Sequence, residues 1–185
     1  MTNRRLRRVL AGLPLALAIA LPAAPAHAAP TACAAANSSP TEVSAPQLEH
    51  TVLCLVNRER TSRGLPRLRS NSKLDRAARS HSRNMVRRNF FSHDTPGGLS
   101  VLDRAKAHGY RSGGGLIVGE NIAWGSGSWS TPAEIVDGWM HSSGHRANIL
   151  HRAFKEIGVG VALGAPRPVS GQPAATYTTD FGARR

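Results

Sequence analysis

The chain has 185 residues, 24 basic and 11 acidic side chains, and a formal net charge of +13 at pH 7. This length suits one domain with a sizeable core and leaves too little chain for two. Outside a cell, the basic excess favours anionic wall polymers or lipid headgroups over nucleic acid, and the charge is scattered without a dense run or interleaved aromatics. Arginine bias is the competing explanation, since 21 of the 24 basic residues are arginine, as in a high-GC genome.

Residues 1–28 have the pattern of a signal peptide. Arginines at positions 4, 5, 7 and 8 precede an apolar stretch over Val9–Leu21, and Ala26–Ala28 forms an A-x-A cleavage site. The apolar stretch is too short for a membrane-spanning helix, and no later stretch approaches that length. We therefore expect a secreted, extracellular protein without a transmembrane segment after signal removal. The general secretory route is favoured over the twin-arginine route.

The mature chain would begin at Ala29 with 20 basic and 11 acidic side chains. Its two cysteines, Cys33 and Cys54, enter an oxidising compartment, where an even count favours a disulfide over two buried thiols. Such a bridge closes a loop of about 20 residues and contributes roughly 3 kcal/mol in the chain-entropy model. Residues 29–45 are rich in Ala, Pro, Ser and Thr, which predicts a flexible arm before one domain over 46–185.

Apolar residues at helical spacing predict a first helix from about Pro46 to Arg63 and a second that Ser72 caps and that runs to about Arg88. The apolar stripe of the second helix includes His81, which is typical of a core histidine. Three further helices are predicted from their N-cap residues, which are Ser100, Thr131 and Ser143.

Strand signals are concentrated at the end of the chain. Alternating apolar residues over 157–163 and again over 176–181 predict a hairpin with a long Gly/Pro connection, and a short strand is predicted around 121–124. Helices first and strands last indicate an α+β domain.

Three short phrases in the second half carry the most specific signal, together with an opening helix phrase and a closing strand phrase. They are Phe90–His93, Gly119–Ala123 and Ser143–Arg146, with Val56–Arg60 before them and Tyr177–Phe181 after them. In this order they resemble the CAP superfamily (SCP or cysteine-rich secretory protein domain), in particular its bacterial secreted branch. The resemblance runs from about Leu48 to Gly182. It implies a three-layer α-β-α sandwich, with a small antiparallel sheet covered by helices on both faces.

The resemblance also implies a cleft lined by two histidines and two acids, in which the imidazoles of several members hold a divalent cation. The first histidine matches His93, the first acid Glu120 and the second histidine His145, while Ser142 stands where the second acid usually lies. Two imidazoles and a carboxylate form a plausible set for zinc or another divalent cation, with a fourth position for water or substrate. Asn121, Ser142 and Arg146 are candidate cleft or ligand-binding residues.

Each candidate also has a structural interpretation. Glu120 can organise the cleft floor by accepting hydrogen bonds, Asn121 can pair with backbone, and His93 can be a half-buried side chain. His145 has the strongest functional case, because it lies at a predicted helix start.

Three functions remain open at this stage. The leading one is a monomeric binding module whose His/Glu cleft engages a lipid, glycan or wall polymer, without catalysis. The second is a metal-dependent hydrolase or peptidase centred on His93, Glu120 and His145. The third is a protein-interaction or signalling module that uses the glycine-rich loops at 112–115 and 125–130.

Overall fold

A computed structural model describes residues 33–169 and 171–185. The predicted signal peptide and the first residues of the predicted arm lie outside these ranges. The elements in chain order are α1 (Ala45–Thr61), β1 (Arg69–Ser70), α2 (Ser72–Arg87), α3 (Val101–Ala107), β2 (Leu116–Ser126), a 3-10 turn (Gly127–Ser130), α4 (Pro132–His141), α5 (Ser143–Ile149), β3 (Glu156–Leu163) and β4 (Ala174–Arg184).

The four strands form one sheet in the order β1-β3-β4-β2. The β3–β4 hairpin is antiparallel, as predicted. Strand β2 pairs antiparallel with β4 and is much longer than the expected strand at 121–124. Strand β1 was not predicted, because two residues are too few to show an alternating pattern. It pairs in parallel with β3, so the sheet carries one short parallel edge.

Helices cover both faces of this sheet. Ile157, Val159 and Phe181 face the core formed with α1, α4 and α5. The intervening glycines of β3, Gly158 and Gly160, face α2, because a Cβ at either position would meet the backbone of that helix. The α+β three-layer architecture is therefore confirmed.

The predicted disulfide joins Cys33 to Cys54, with an S–S distance of 2.06 Å. The described part of the predicted arm forms turns and makes specific contacts with the helices. The Thr51 hydroxyl of α1 donates to the Ala34 carbonyl at 2.5 Å, and the Ala133 amide of α4 donates to the Ala36 carbonyl at 2.8 Å. This segment thus connects α1 with the start of α4.

Two helix starts differ from prediction by one residue. Asn71 caps α2 by accepting from the Lys73 amide at 3.0 Å, since asparagine is as good an N-cap as serine. Helix α5 follows Ser142, whose side chain makes no cap hydrogen bond. The predicted caps Ser100 and Thr131 are confirmed. No helix in the described ranges combines the length and apolar character needed to cross a bilayer.

Candidate functional site

The candidate residues are arranged around β2, which pairs with β4 on one side and has no strand partner on the other within the described chain. Successive side chains of a strand point to opposite faces. Glu120 therefore faces the α2/α3 layer, whereas Asn121 faces α5. Two carbonyls on the outer side of β2 accept side-chain hydrogen bonds, Glu120 from Asn148 Nδ2 at 3.0 Å and Ile122 from Trp139 Nε1 at 3.3 Å.

The Glu120 carboxylate is buried, with its side chain only 2% exposed, and both of its oxygens are engaged. His93 Nδ1 lies 2.8 Å from Oε1, Arg104 Nη2 contacts Oε2, and His81 Nε2 lies 3.9 Å from Oε2. Burial opposes ionisation, but the hydrogen bond from His93 and the positive charge of Arg104 outweigh it and lower the pKa of Glu120. Glu120 is thus the ionised anchor of this cluster.

Arg104 organises the loop that carries His93. Its Nη1 donates to the carbonyl of His93 at 2.6 Å and to that of Leu99 at 3.0 Å. The hydrogen bond to Glu120 raises the pKa of His93 and engages its Nδ1, which leaves Nε2 as the ring nitrogen available to a ligand. The His93 side chain is 57% exposed, so solvent reaches this ring.

His145 approaches from the opposite layer. Asn121 is fully buried and its Nδ2 donates to the His145 carbonyl at 3.0 Å, so Asn121 positions α5 and has no exposed surface for a ligand. Arg60 of α1 holds the end of the same helix through the Ile149 carbonyl at 2.7 Å. Burial, and then the positive charge of His93, lower the pKa of His145. A positive charge on His93 thus disfavours a second positive charge on His145.

His145 and Ser142 line a cleft of about 420 Å³, and its lining includes four aromatic side chains, those of Phe91, Trp124, Trp129 and Trp139. His93 and Glu120 are not among its lining residues. Arg146 points elsewhere, into a charged groove of about 570 Å³ between α1 and α4. Within the described ranges, no group of three or more His, Cys, Asp or Glu side chains is placed to hold a metal ion. Metal binding and the ligand-binding roles stay predictions.

The Glu120 cluster comprises Glu120, His93, His81, Arg104 and Asp180. The last three were not assigned to the site from the sequence. His81 is buried as expected for a core histidine, but it also lies near Glu120, and burial foremost lowers its pKa. Arg104 shares the inward face of α3 with Ala105 and Val101, so helical spacing would have placed it there. Asp180 had no such signal, because its position opposite Glu120 depends on the β2–β4 register.

Asp180 is a fully buried second carboxyl in this cluster. Neither of its oxygens has a hydrogen-bond partner among the described residues. Burial, and next the negative charge of Glu120, raise its pKa well above the usual range for aspartate. Asp180 is therefore protonated in the folded protein under conditions in which it is ionised in the unfolded chain.

Replacement Asp180→Asn should make the protein more stable relative to wild type as pH rises. A raised folded-state pKa means that the native state retains a proton that the unfolded state releases, so wild-type stability falls between the unfolded and folded pKa values. The difference should grow by up to about 1.4 kcal/mol per pH unit above about pH 4. Urea unfolding of both proteins across this range measures it, and a difference independent of pH would contradict protonation of Asp180.

Comparison with known sequences agrees with the family resemblance of the sequence motifs. A model of the cysteine-rich secretory protein family (CAP) matches residues 53–178. The Bacillus subtilis protein YkwD is 42% identical over 125 residues, which cover 66% of this chain and 45% of YkwD. The B. subtilis membrane protein YlbC is 33% identical over 117 residues, which cover 61% of this chain and 31% of YlbC. The chain thus spans less than half the length of these relatives.

Solved structures share the fold. An extracellular SCP-domain protein from Bacillus anthracis is 27% identical, with a TM-score of 0.59, over 77% of this chain and 44% of that one. An outer surface protein from Borrelia burgdorferi has a TM-score of 0.62 over 77% of this chain and 97% of its own. Its sequence identity is 14%, so this likeness concerns the fold alone.

Proposed function

Because the chain belongs to the cysteine-rich secretory protein (CAP) family and has the bacterial form of its domain, we propose that it is a secreted binding module for a cell-envelope ligand. The ligand enters the cleft beside His145, and the basic exterior assists contact with anionic envelope material. The observation that carries this proposal is the state of Glu120. Its two oxygens are held by His93 and Arg104, so the carboxylate supports the cleft wall.

The same observation weighs against the hydrolase alternative. Glu120 could act as a general base only if its carboxylate reached the reacting proton, whereas this carboxylate is buried and both of its oxygens are engaged. Ser142 stands where a second acid is expected, and the carboxylate that does line the cleft is Glu134, in the first turn of α4. The arrangement therefore supports binding better than a mechanism in which Glu120 is the general base.

The chemistry of the donor set is compatible with a divalent cation at His93 and His145. Metal-binding histidines usually donate their second ring N–H to a carboxylate, which fixes the ring and its tautomer. Glu120 provides this partner for His93, and the lowered pKa of His145 keeps its imidazole neutral and able to ligate. A bound cation would supply a Lewis-acidic contact for an anionic or hydroxyl group of the ligand.

Calorimetric titration with zinc tests this part of the proposal. Wild type should bind zinc, and both His145→Ala and His93→Ala should weaken binding by about 10-fold or more. His141→Ala is the matched control, because this histidine lies on the exposed face of α4 against Asp137 and should leave the affinity unchanged. Equal zinc affinity of wild type and His145→Ala would contradict a zinc site at His145.

Sedimentation with purified cell-wall material and with anionic vesicles tests the envelope ligand. Association should be strongest at low salt, because exposed charges attract each other less as ionic strength rises. Failure of the mature protein to associate with either preparation at low salt would overturn the envelope assignment.

A further inference from the structure

Exposed aromatic side chains converge on the cleft. In the described part of the chain, Trp129 is 70% exposed and Phe91 38% exposed, and both line the same cleft as the half-buried Trp124. The other exposed large apolar residues, such as Leu163 on β3, are not part of its lining. Clustered exposed apolar surface commonly marks a site of interaction, whereas single exposed residues need no explanation.

The backbone that presents Trp129 is firmly held. The Gly127 amide donates to the Pro173 carbonyl at 2.8 Å, and the Ser130 hydroxyl closes the turn on the Gly127 carbonyl at 2.6 Å. The buried Tyr177 hydroxyl donates to the Ser130 carbonyl at 2.6 Å. Gly127 has φ +57°, a conformation that glycine adopts without strain. An indole that is exposed on such an anchored turn is preorganised for contact with another molecule.

We propose that the aromatic side of the cleft, formed by Phe91, Trp124 and Trp129, is a carbohydrate subsite that binds pyranose rings of an oligosaccharide. This inference rests on the proposed function and narrows its ligand to a glycan. A pyranose ring has an apolar C–H face that packs on an aromatic ring and a rim of hydroxyls that needs hydrogen-bond partners. The cleft offers both, because Glu134, Ser142 and His145 border the aromatic side chains.

Two other occupants agree less well with the geometry. An extended peptide would add to the outer side of β2, but the carbonyls of Glu120 and Ile122 there already accept from Asn148 and Trp139. An acyl chain is best accommodated where apolar walls remove it from water, whereas Trp129 remains largely exposed and charged or polar groups line the same cleft.

Isothermal titration with chitotetraose and cellotetraose tests the subsite, and the two sugars distinguish an N-acetylated glycan from a plain glucan. Wild type should bind at least one of them, and binding should persist at high salt, because stacking does not depend on charge. Trp129→Ala should weaken binding by about tenfold, and Trp129→Phe should retain part of it. Leu163→Ala is the matched control, because it also removes an exposed apolar side chain, and it should bind like wild type.

Trp129→Ala should have the same urea midpoint of unfolding as wild type and the same zinc affinity. A loss of sugar binding would then result from the missing indole and not from a disturbed fold. No binding of either sugar by wild type overturns the subsite, as does equal binding by wild type and Trp129→Ala. It is also overturned if Trp129→Ala instead loses binding to zwitterionic vesicles, since Trp129 would then contact lipid. None of these outcomes affects the zinc and low-salt tests, so the proposed function can fail or survive separately.

Discussion

Replacing Glu120 with glutamine is expected to lower the free energy of unfolding by about 3–5 kcal/mol. Glutamine keeps the size of the side chain but removes the charge that Arg104 and His93 contact. The Arg104 guanidinium is itself buried, so it would remain in the interior without its carboxylate partner. Urea unfolding of wild type and variant at neutral pH measures the loss.

The matched control is Glu59→Gln. Glu59 of α1 pairs at 2.7 Å with Arg63, which lies just beyond the end of this helix. The pair is partly exposed, so its loss should cost no more than about 1 kcal/mol. The double replacement Glu120→Gln/Asp180→Asn should be no more stable than Glu120→Gln, because it also removes the neighbouring carboxyl that could ionise beside Arg104. Similar losses for Glu120→Gln and Glu59→Gln would show that the Glu120 cluster contributes little to stability.

Replacing Gly160 with alanine should destabilise the protein by about 3 kcal/mol or more. An added Cβ would lie 2.1 Å from the Arg79 amide nitrogen and 2.2 Å from the Ala78 carbonyl carbon, both backbone atoms of α2. Backbone atoms cannot move aside as a flexible side chain can, so α2 would have to shift away from β3. Because α2 carries His81 and leads into the loop of His93, zinc affinity should fall as well.

Gly138→Ala provides the control for this prediction. Gly138 lies within α4, and nothing lies within 4 Å of its added Cβ. Alanine there should raise the free energy of unfolding by roughly 0.5–1 kcal/mol, because glycine is unfavourable inside a helix. Thermal and urea unfolding of the two variants should therefore change in opposite directions. A Gly160→Ala protein as stable as wild type would mean that α2 and β3 are less tightly packed than the structure shows.

The sequence predicted the elements that depend on local patterns. Helices α1 and α2 follow from apolar spacing, and the caps at Ser100 and Thr131 follow from side chains that satisfy the first backbone amides. The one-residue errors at α2 and α5 arose because adjacent residues are both capable caps. Strand β1 is set by pairing with β3 and leaves no pattern in its own two residues.

The candidate site was predictable only in part, for a related reason. His93, Glu120 and His145 could be named because their phrases resemble a known family. The burial of Asn121, the pairing of Glu120 with Arg104 and the position of Asp180 depend on strand register and on loop packing, which are long-range properties. The direction of the Arg146 side chain, which lines another groove, likewise depends on how α5 packs against its neighbours.

The two edges of the sheet are short or covered, which affects how readily molecules associate at high protein concentration. At one edge, β1 offers only two residues for pairing, and beyond it the Val159 and Val161 amides of β3 already donate to Asp75 and Glu49. At the other edge, Asn148 and Trp139 donate to carbonyls of β2. Short or covered outer strands give a neighbouring molecule little backbone on which to extend a shared sheet. The domain should therefore resist fibrillar assembly at high protein concentration.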